Sequence, residues 1–236
     1  MTNTVEDIYQ NGTYLSNHPD WHDEDGPWKA RQITTILKRN QLAPRSVCDV
    51  GCGTGRVLSE LSTYLPAATR LVGFDTATDP VKIYHGRNHP GIEVVTGDAR
   101  NTDERFDLLM MIDVFEHVED YLGFLRAFKD SADHFIFHIP LDMTIQAVWR
   151  MRPIMRARQG VGHLHYFCRE TALATLQDAG YRVQDEIYTS GGLELPGGGR
   201  ERKFAKLPRT LLYRLDPHIA ARFLGGFSLL VLCKRS

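Results

Sequence analysis

The chain has 236 residues, 42% of them hydrophobic and 24% charged, with a formal net charge of -1. That length suffices for one large α/β core, near-neutrality gives no support to nucleic-acid binding, and no apolar run is long enough to cross a bilayer. Cys48, Cys52, Cys168 and Cys233 form no C-x-x-C pair and Met1–Asp7 has no basic start or apolar segment, so structural zinc, a disulfide framework and a secretory signal are not expected and a reducing, cytoplasmic setting is.

Residues 1–26 are polar and acidic with scattered aromatics, Tyr9, Tyr14 and Trp21. Pro27 opens a helical pattern carried by Ile33, Ile36 and Leu37, so 1–45 reads as an N-terminal cover and helix. Short apolar strands are predicted at 46–50, 70–74, 92–95, 106–112 and 134–139, with helical patterns near 54–65, 79–87 and 119–130. A helix at 169–179 stops at Gly180, and two late strands follow at about 181–189 and 227–233. Strand and helix in alternation predict an α/β, doubly wound, Rossmann-like sheet in a single domain spanning 1–236. Segments 140–168 and 190–226 exceed what such a sheet needs and are expected to be lid-like insertions on the substrate side.

Open α/β sheets bind ligands at the carboxyl ends of their strands, so the polar residues there matter most. The first strand runs into Asp49 and the turn Gly51-Cys52-Gly53-Thr54-Gly55, where missing Cβ atoms admit a ligand and Thr54 is expected to start a helix. The second ends at Asp75 and Thr76; that acid lies twenty positions past Gly55, where a carboxylate takes ribose hydroxyls. The third runs into Asp98 and Ala99, and the fourth ends at Asp113. A dinucleotide fingerprint wants its third glycine one residue later, and a carboxylate at Asp49 would repel a pyrophosphate. A phosphate-free cation suits the turn better, and S-adenosylmethionine (SAM) carries an ammonium, a sulfonium, a ribose and an adenine.

In that order, Asp49-Val50-Gly51-Cys52-Gly53-Thr54-Gly55, Gly73-Phe74-Asp75, Gly97-Asp98-Ala99 and Asp113-Val114-Phe115-Glu116-His117-Val118 resemble the motifs of class I SAM-dependent methyltransferases. Gly162-His163-Leu164-His165-Tyr166-Phe167 and Asp178-Ala179-Gly180-Tyr181 resemble the small-molecule branch that includes the ubiquinone-pathway O-methyltransferases. The resemblance covers about 46–189 plus the last strand, and implies seven strands with the last one antiparallel. It implies that Gly51, Cys52, Gly53 and Gly55 shape the methionine site and Asp49 helps bind its ammonium. It further implies that Asp75 serves the ribose, with Thr76 beside it among the candidate cofactor-binding residues, Asp98 and Ala99 the adenine, and Asp113 the loop beneath the reactive methyl. Trp28, beside Lys29 in the covering helix, is a candidate cap over the cofactor.

A hydroxyl acceptor must lose its proton, so His117, His138, His163 and His165 are the candidate bases. Each has a structural alternative: a helix start at Glu116-His117, a core histidine at His138. His163 and His165 alternate and so share a face if extended; no third ligand at a recognisable spacing accompanies them, so no metal is expected. The acceptor is read as a hydroxyl of a sugar, glycolipid or secondary metabolite, with small-molecule N- or C-methylation as the alternative and a non-catalytic SAM-binding protein as the rival of another class. Arg150, Arg152, Arg156 and Arg158, and the basic run Arg200, Arg202, Lys203, Lys206 and Arg209, fit an anionic or lipid-linked acceptor, with peripheral membrane contact through 200–214. A solvated face and a protein-packed lid are the alternatives. Nothing in the sequence addresses oligomeric state.

Overall fold

The computed structural model describes residues 23–85, 91–195 and 200–235. Readings on Tyr9, Tyr14, Trp21 and Gly197-Gly198-Gly199, and on the side chains of Arg200, Arg202, Lys203, Phe204 and Lys206, lie outside the described residues.

Helix α1 (Gly26–Arg39) has Pro27 in its first turn and ends in Lys38 and Arg39, which suits its dipole. It is followed by β1 (Ser46–Val50), α2 (Arg56–Leu61), β2 (Arg70–Asp75), α3 (Thr78–His85), β3 (Ile92–Thr96), β4 (Phe106–Ile112), α4 (Tyr121–Phe128) and β5 (Ala132–Pro140). Then come α5 (Ile145–Arg150), α6 (Arg152–Arg156), α7 (Arg169–Asp178), β6 (Tyr181–Thr189), α8 (Gly191–Glu194), α9 (Arg200–Leu215), α10 (Pro217–Phe223) and β7 (Ser228–Arg235). One seven-stranded sheet runs in the order β3-β2-β1-β4-β5-β7-β6. Strands β1 to β5 pair in parallel, and β7 lies antiparallel between β5 and β6.

Strand periodicity splits the core in two. Leu108, Met110 and Ile112 of β4 face one side, where Ala30, Ile33, Ile36 and Leu37 of α1 and Leu58 and Leu61 of α2 cover them. Leu109 and Met111 face the other side, against Leu125 and Phe128 of α4 and Ala172 and Leu176 of α7. Both faces are buried, which is why the parallel strands read as continuous apolar runs rather than alternating ones. Phe137 is fully buried and packs against the rings of Phe135 and Tyr181; truncating such a ring costs about 3–5 kcal/mol.

Helix α1 is fastened at its far end to β6. A register shift between Val183 and Asp185 turns the Asp185 carboxylate toward α1, where it accepts from Asn40 Nδ2 (2.6 Å) and pairs with Arg39. The two insertions are mostly helical. Thr144 caps α5 by accepting from the Ala147 N–H, and Asp216 caps α10 by accepting from Ile219 N–H. No helix among the described residues is long and apolar enough to cross a membrane.

Candidate active site

The strand order reverses between β1 and β4, and the expected site residues gather at that end of the sheet. After β1, the N–H groups of Gly51 and Cys52 both donate to Phe74 O (2.8 and 3.1 Å), stitching the turn to β2. Gly53 and Gly55 adopt φ of +54° and +68°, which disfavour any side chain. A Cβ at Gly55 would also lie 2.7 Å from the Tyr84 ring, whereas one at Gly53 would meet nothing within 4 Å. Gly53 therefore faces the opening. The space beside Gly51, expected to admit the cofactor, is filled by Val114, 2.8 Å from where a Cβ would stand. Left-handed Gly55 delays the helix to Arg56, so Thr54 does not start it as expected; its hydroxyl instead bonds Asp23. The Cys52 side chain packs against Gly73 in the core, and burial raises its thiol pKa, so it presents only backbone to the site.

Two acids frame the opening. Asp75 accepts from Gly53 N–H and Ala77 N–H, both at 2.8 Å, and each carboxylate oxygen keeps a further lone pair for a ligand. Asp49 is buried at 2% exposure, with its Oδ1 lacking any partner. Burial raises its pKa to about 7 against the opposing pull of Lys29. A buried carboxylate oxygen without a donor costs free energy that an ammonium would recover. Thr76 is exposed, next to Asp75. Asp98 is committed to Arg100, which donates through Nε (2.9 Å) and Nη2 (2.6 Å); Ala99 is buried beneath it.

At the end of β4, Asp113 has φ of +57°, rare for a residue with a Cβ. Its Oδ2 lies 2.8 Å from Lys29 Nζ of α1, and its Oδ1 accepts from His138 Nδ1 at 2.6 Å. Burial opposes ionisation here, but His138 and Lys29 together outweigh it and hold the Asp113 carboxyl well below the usual range. His138 meets Thr189 Oγ1 with its other nitrogen at 2.9 Å. His138 thus has both ring nitrogens bonded in a buried position. Trp28 is buried at 4%, its ring edge-on to His138 (centroids 6.0 Å apart) and its Nε1 donating to Glu194 (2.9 Å).

The remaining histidines separate. His163 is buried and shares a hydrogen between Nδ1 and Asp142 Oδ2 at 2.6 Å. Its ring lies 4.9 Å from that of His117. Burial, reinforced by His163, lowers the His117 pKa to about 4, so its imidazole is neutral at pH 7. Glu116 is fully buried with neither carboxyl oxygen bonded, and burial raises its pKa strongly. Glu116, His117 and His163 place one ligand-type atom each within 4.8 Å of one another, a grouping that the sequence spacing did not reveal and that does not include His165. His165 lies apart: its Nε2 contacts Val118 O (2.9 Å), and its ring packs on Tyr121, 4.3 Å between centroids. Alternation thus did not give His163 and His165 a common set of partners. Asp142, Thr189 and Glu194 were missed by the sequence reading. Asp142 follows β5 as Asp113 follows β4, so the same strand-end rule would have found it.

The two insertions expected on the substrate side differ in kind. Trp149 is 85% exposed, and Ile145, Val148, Met151 and Met155 are exposed beside it. Arg150, Arg152, Arg156 and Arg158 are exposed on the same helices. In α9, Leu207, Leu211 and Leu215 are exposed at helical spacing, while Leu212 and Tyr213 pack on the core. Arg209 is turned inward, donating to Gly225 O over the Phe227 ring.

A family model for the methyltransferase domain matches residues 21–186. A ubiquinone biosynthesis O-methyltransferase of Actinobacillus pleuropneumoniae is 28% identical over 149 residues, covering 54% of this chain and 62% of that protein. Another, from Cereibacter sphaeroides, is 36% identical over 112 residues, covering 42% and 43%. The match thus spans less than two thirds of the length of these curated relatives. Among solved structures, the magnesium protoporphyrin IX methyltransferase of Synechocystis PCC 6803 with bound S-adenosylhomocysteine (SAH) aligns at a TM-score of 0.65 and 15% identity, covering 98% of this chain and 100% of that one. The N-methyltransferase NodS of Bradyrhizobium japonicum, also with SAH, aligns at 0.58 and 18%, covering 94% and 98%. With its strand-end motifs on a sheet of this order and the family model matched across most of its length, the chain belongs to the SAM-dependent methyltransferase family.

Proposed function

We propose that this methyltransferase holds SAM at the Gly53 opening and transfers its methyl to a hydroxyl of a small molecule, with His163 as the base. The observation that carries the cofactor reading is the buried Asp49 carboxylate with an unpartnered oxygen, beside a glycine that faces open space. An ammonium fits that acid, and a ribose fits Asp75. When bound, SAM supplies a methyl already activated by its sulfonium. The chain's residues then have to align an acceptor and remove its proton. Alignment of two bound reactants accounts for roughly 7–11 kcal/mol of barrier, and a positioned base for about 10²–10⁴-fold.

The base assignment rests on the pair formed by His163 and Asp142 at 2.6 Å. A carboxylate on Nδ1 fixes the tautomer that leaves Nε2 able to take a proton. His117, held neutral to about pH 4, is too weak a base for the same task and is placed to bond the acceptor instead. The curated relatives named as O-methyltransferases agree with a hydroxyl acceptor. His163→Ala should lower kcat about 100-fold or more while SAH affinity stays within about twofold; unchanged kcat overturns the base assignment. A product methylated on nitrogen or carbon overturns the O-assignment, and SAM binding with no turnover on any acceptor favours a non-catalytic role.

A second reading has its own observation. The cluster of Glu116, His117 and His163 is a donor set that suits a divalent cation of borderline softness, which would lower the acceptor's pKa in place of a base. Activity lost in a chelator and restored by Zn²⁺ selects it. On the outer side, the exposed apolar and arginine face of 143–158 supports an anionic or lipid-linked acceptor delivered at a membrane surface, joined by Leu207, Leu211 and Leu215 of α9. Four unpaired cysteines accord with a cytoplasmic place.

A further inference from the structure

We propose that His138 is a positioning residue that couples the acceptor-side turn at 189–194 to the α1 cover, by fixing Asp113 against Lys29 where the amino-acid end of the cofactor lies. The inference rests on the SAM reading above and adds a residue to it that touches neither reactant.

Two contact paths leave the turn after β6, and both end on α1. One runs from the Thr189 hydroxyl to His138 Nε2 (2.9 Å), from His138 Nδ1 to Asp113 Oδ1 (2.6 Å), and from Asp113 Oδ2 to Lys29 Nζ (2.8 Å). The other runs from Ser190 to Glu194 and from Glu194 to Trp28 Nε1 (2.9 Å). They arrive at neighbouring residues, Lys29 and Trp28, and they touch once on the way, where the Trp28 ring meets the His138 ring. Other acids act on Lys29 as well, among them Asp25 and Glu116, and Lys29 in turn lowers the pKa of Asp49. Where the Lys29 ammonium rests therefore decides how much negative charge is left at Asp49 for an incoming cation.

Asp113 is the joint that has to be held. It is one of few non-glycine residues among those described at positive φ, a conformation that persists only where its surroundings over-determine it. An ionised carboxylate on Nδ1 requires a hydrogen there, so the His138 tautomer is set by Asp113 and its other nitrogen is aimed at Thr189. The imidazole supplies two directed contacts at opposite ends of a rigid ring, which a packing residue of similar volume would not. Buried in this way, it transmits a shift of the β6 turn to Asp113 as a loss of hydrogen-bond geometry rather than as a graded strain.

The experiment compares binding of SAH with binding of 5′-methylthioadenosine, which has the same nucleoside but no amino-acid end. In wild type both bind. In His138→Phe, which fills the site without either hydrogen bond, SAH should weaken about tenfold, as expected for loss of one charge-assisted contact, while methylthioadenosine changes less than about twofold. His138→Asn, whose amide N–H meets Asp113, should recover most of the SAH affinity, and Thr189→Val should give a loss between the two. Equal weakening of both ligands, unchanged SAH affinity in His138→Phe, or an Asn variant no better than the Phe one overturns the inference. If neither ligand binds the wild-type protein, it is the SAM reading that fails, and the two failures are distinguished. Should His138→Phe not fold, Thr189→Val against wild type makes the same comparison, with an equal effect on both ligands overturning the inference.

Discussion

The cofactor side and the proposed acceptor side are built in opposite ways. On the cofactor side, polar atoms are buried and held by backbone: Asp75 takes two N–H groups, and Asp49 waits with an unpartnered oxygen. On the acceptor side, apolar and cationic groups are exposed, and 143–162 contains no acid at all. A buried polar site has few sequence solutions, because each atom must be satisfied. An exposed face is constrained only by what lies against it. The difference separates a buried polar site from an exposed apolar and cationic face.

The largest effect should come from the buried side. Asp75→Ala removes the acceptor for Gly53 N–H and Ala77 N–H as well as any ribose contact. Loss of the two charge-assisted hydrogen bonds that a ribose diol would make to this carboxylate predicts at least about 100-fold weaker SAH binding by calorimetry. A loss below about threefold would mean that the cofactor does not use this acid.

Next in size is the exposed side. Replacing Arg152 and Arg156 with serine removes two cations, at ~1 kcal/mol each on an anionic surface, so binding to vesicles containing phosphatidylglycerol should fall about thirtyfold. SAH affinity should not move. Sedimentation with anionic and with neutral vesicles checks this, and equal binding to both by the wild-type chain breaks the proposed contrast between the two regions.

The pH dependence of SAH binding is smaller and has a definite sign. Burial raises the folded Asp49 carboxyl to about 7, and an ammonium binds its ionised form. Without ligand, the folded state takes up a proton that the unfolded chain, near 3.9, has lost, so Asp49 subtracts stability as pH rises between those values. With SAH the ionised form is favoured, so affinity should rise about tenfold from pH 6 to pH 7.5 and then level. Calorimetry in two buffers of different ionisation heat should also show proton release below pH 7. Asp49→Asn should flatten the profile.

The cofactor half was legible in the sequence because its demands fall on the backbone. A strand ending at Asp49, glycines at 51, 53 and 55, and acids at 75 and 113 stand where a parallel sheet must expose its strand ends. The central strands β1, β4, β5 and β7 were read nearly in place because burial on both faces gives continuous apolar runs. What was not legible depends on tertiary placement. Thr189 meets His138 across 51 positions, and Asp142 meets His163 across 21. Val114 fills the space beside Gly51. No local spacing encodes such meetings, and the alternation of His163 with His165 put together two residues with different partners.

The smallest effect concerns the two tryptophans that stand one on each side. Trp28 is 4% exposed and Trp149 85%. Trp28→Phe keeps the packing against His138 but removes the Nε1–H that Glu194 accepts. Glu194 is itself exposed and water replaces the donor, so the cost should be about 1 kcal/mol and Tm should fall about 2–4 °C. The SAH affinity should fall only about threefold if Trp28 merely covers the cofactor. Single-tryptophan proteins sharpen the point, with every other tryptophan replaced by phenylalanine. SAH should change the fluorescence of the protein that retains Trp28 and leave that of Trp149 alone, and anionic vesicles should do the reverse. If SAH perturbs Trp149 as strongly as Trp28, the two regions respond as one and the division between a buried cofactor site and an exposed acceptor face is wrong.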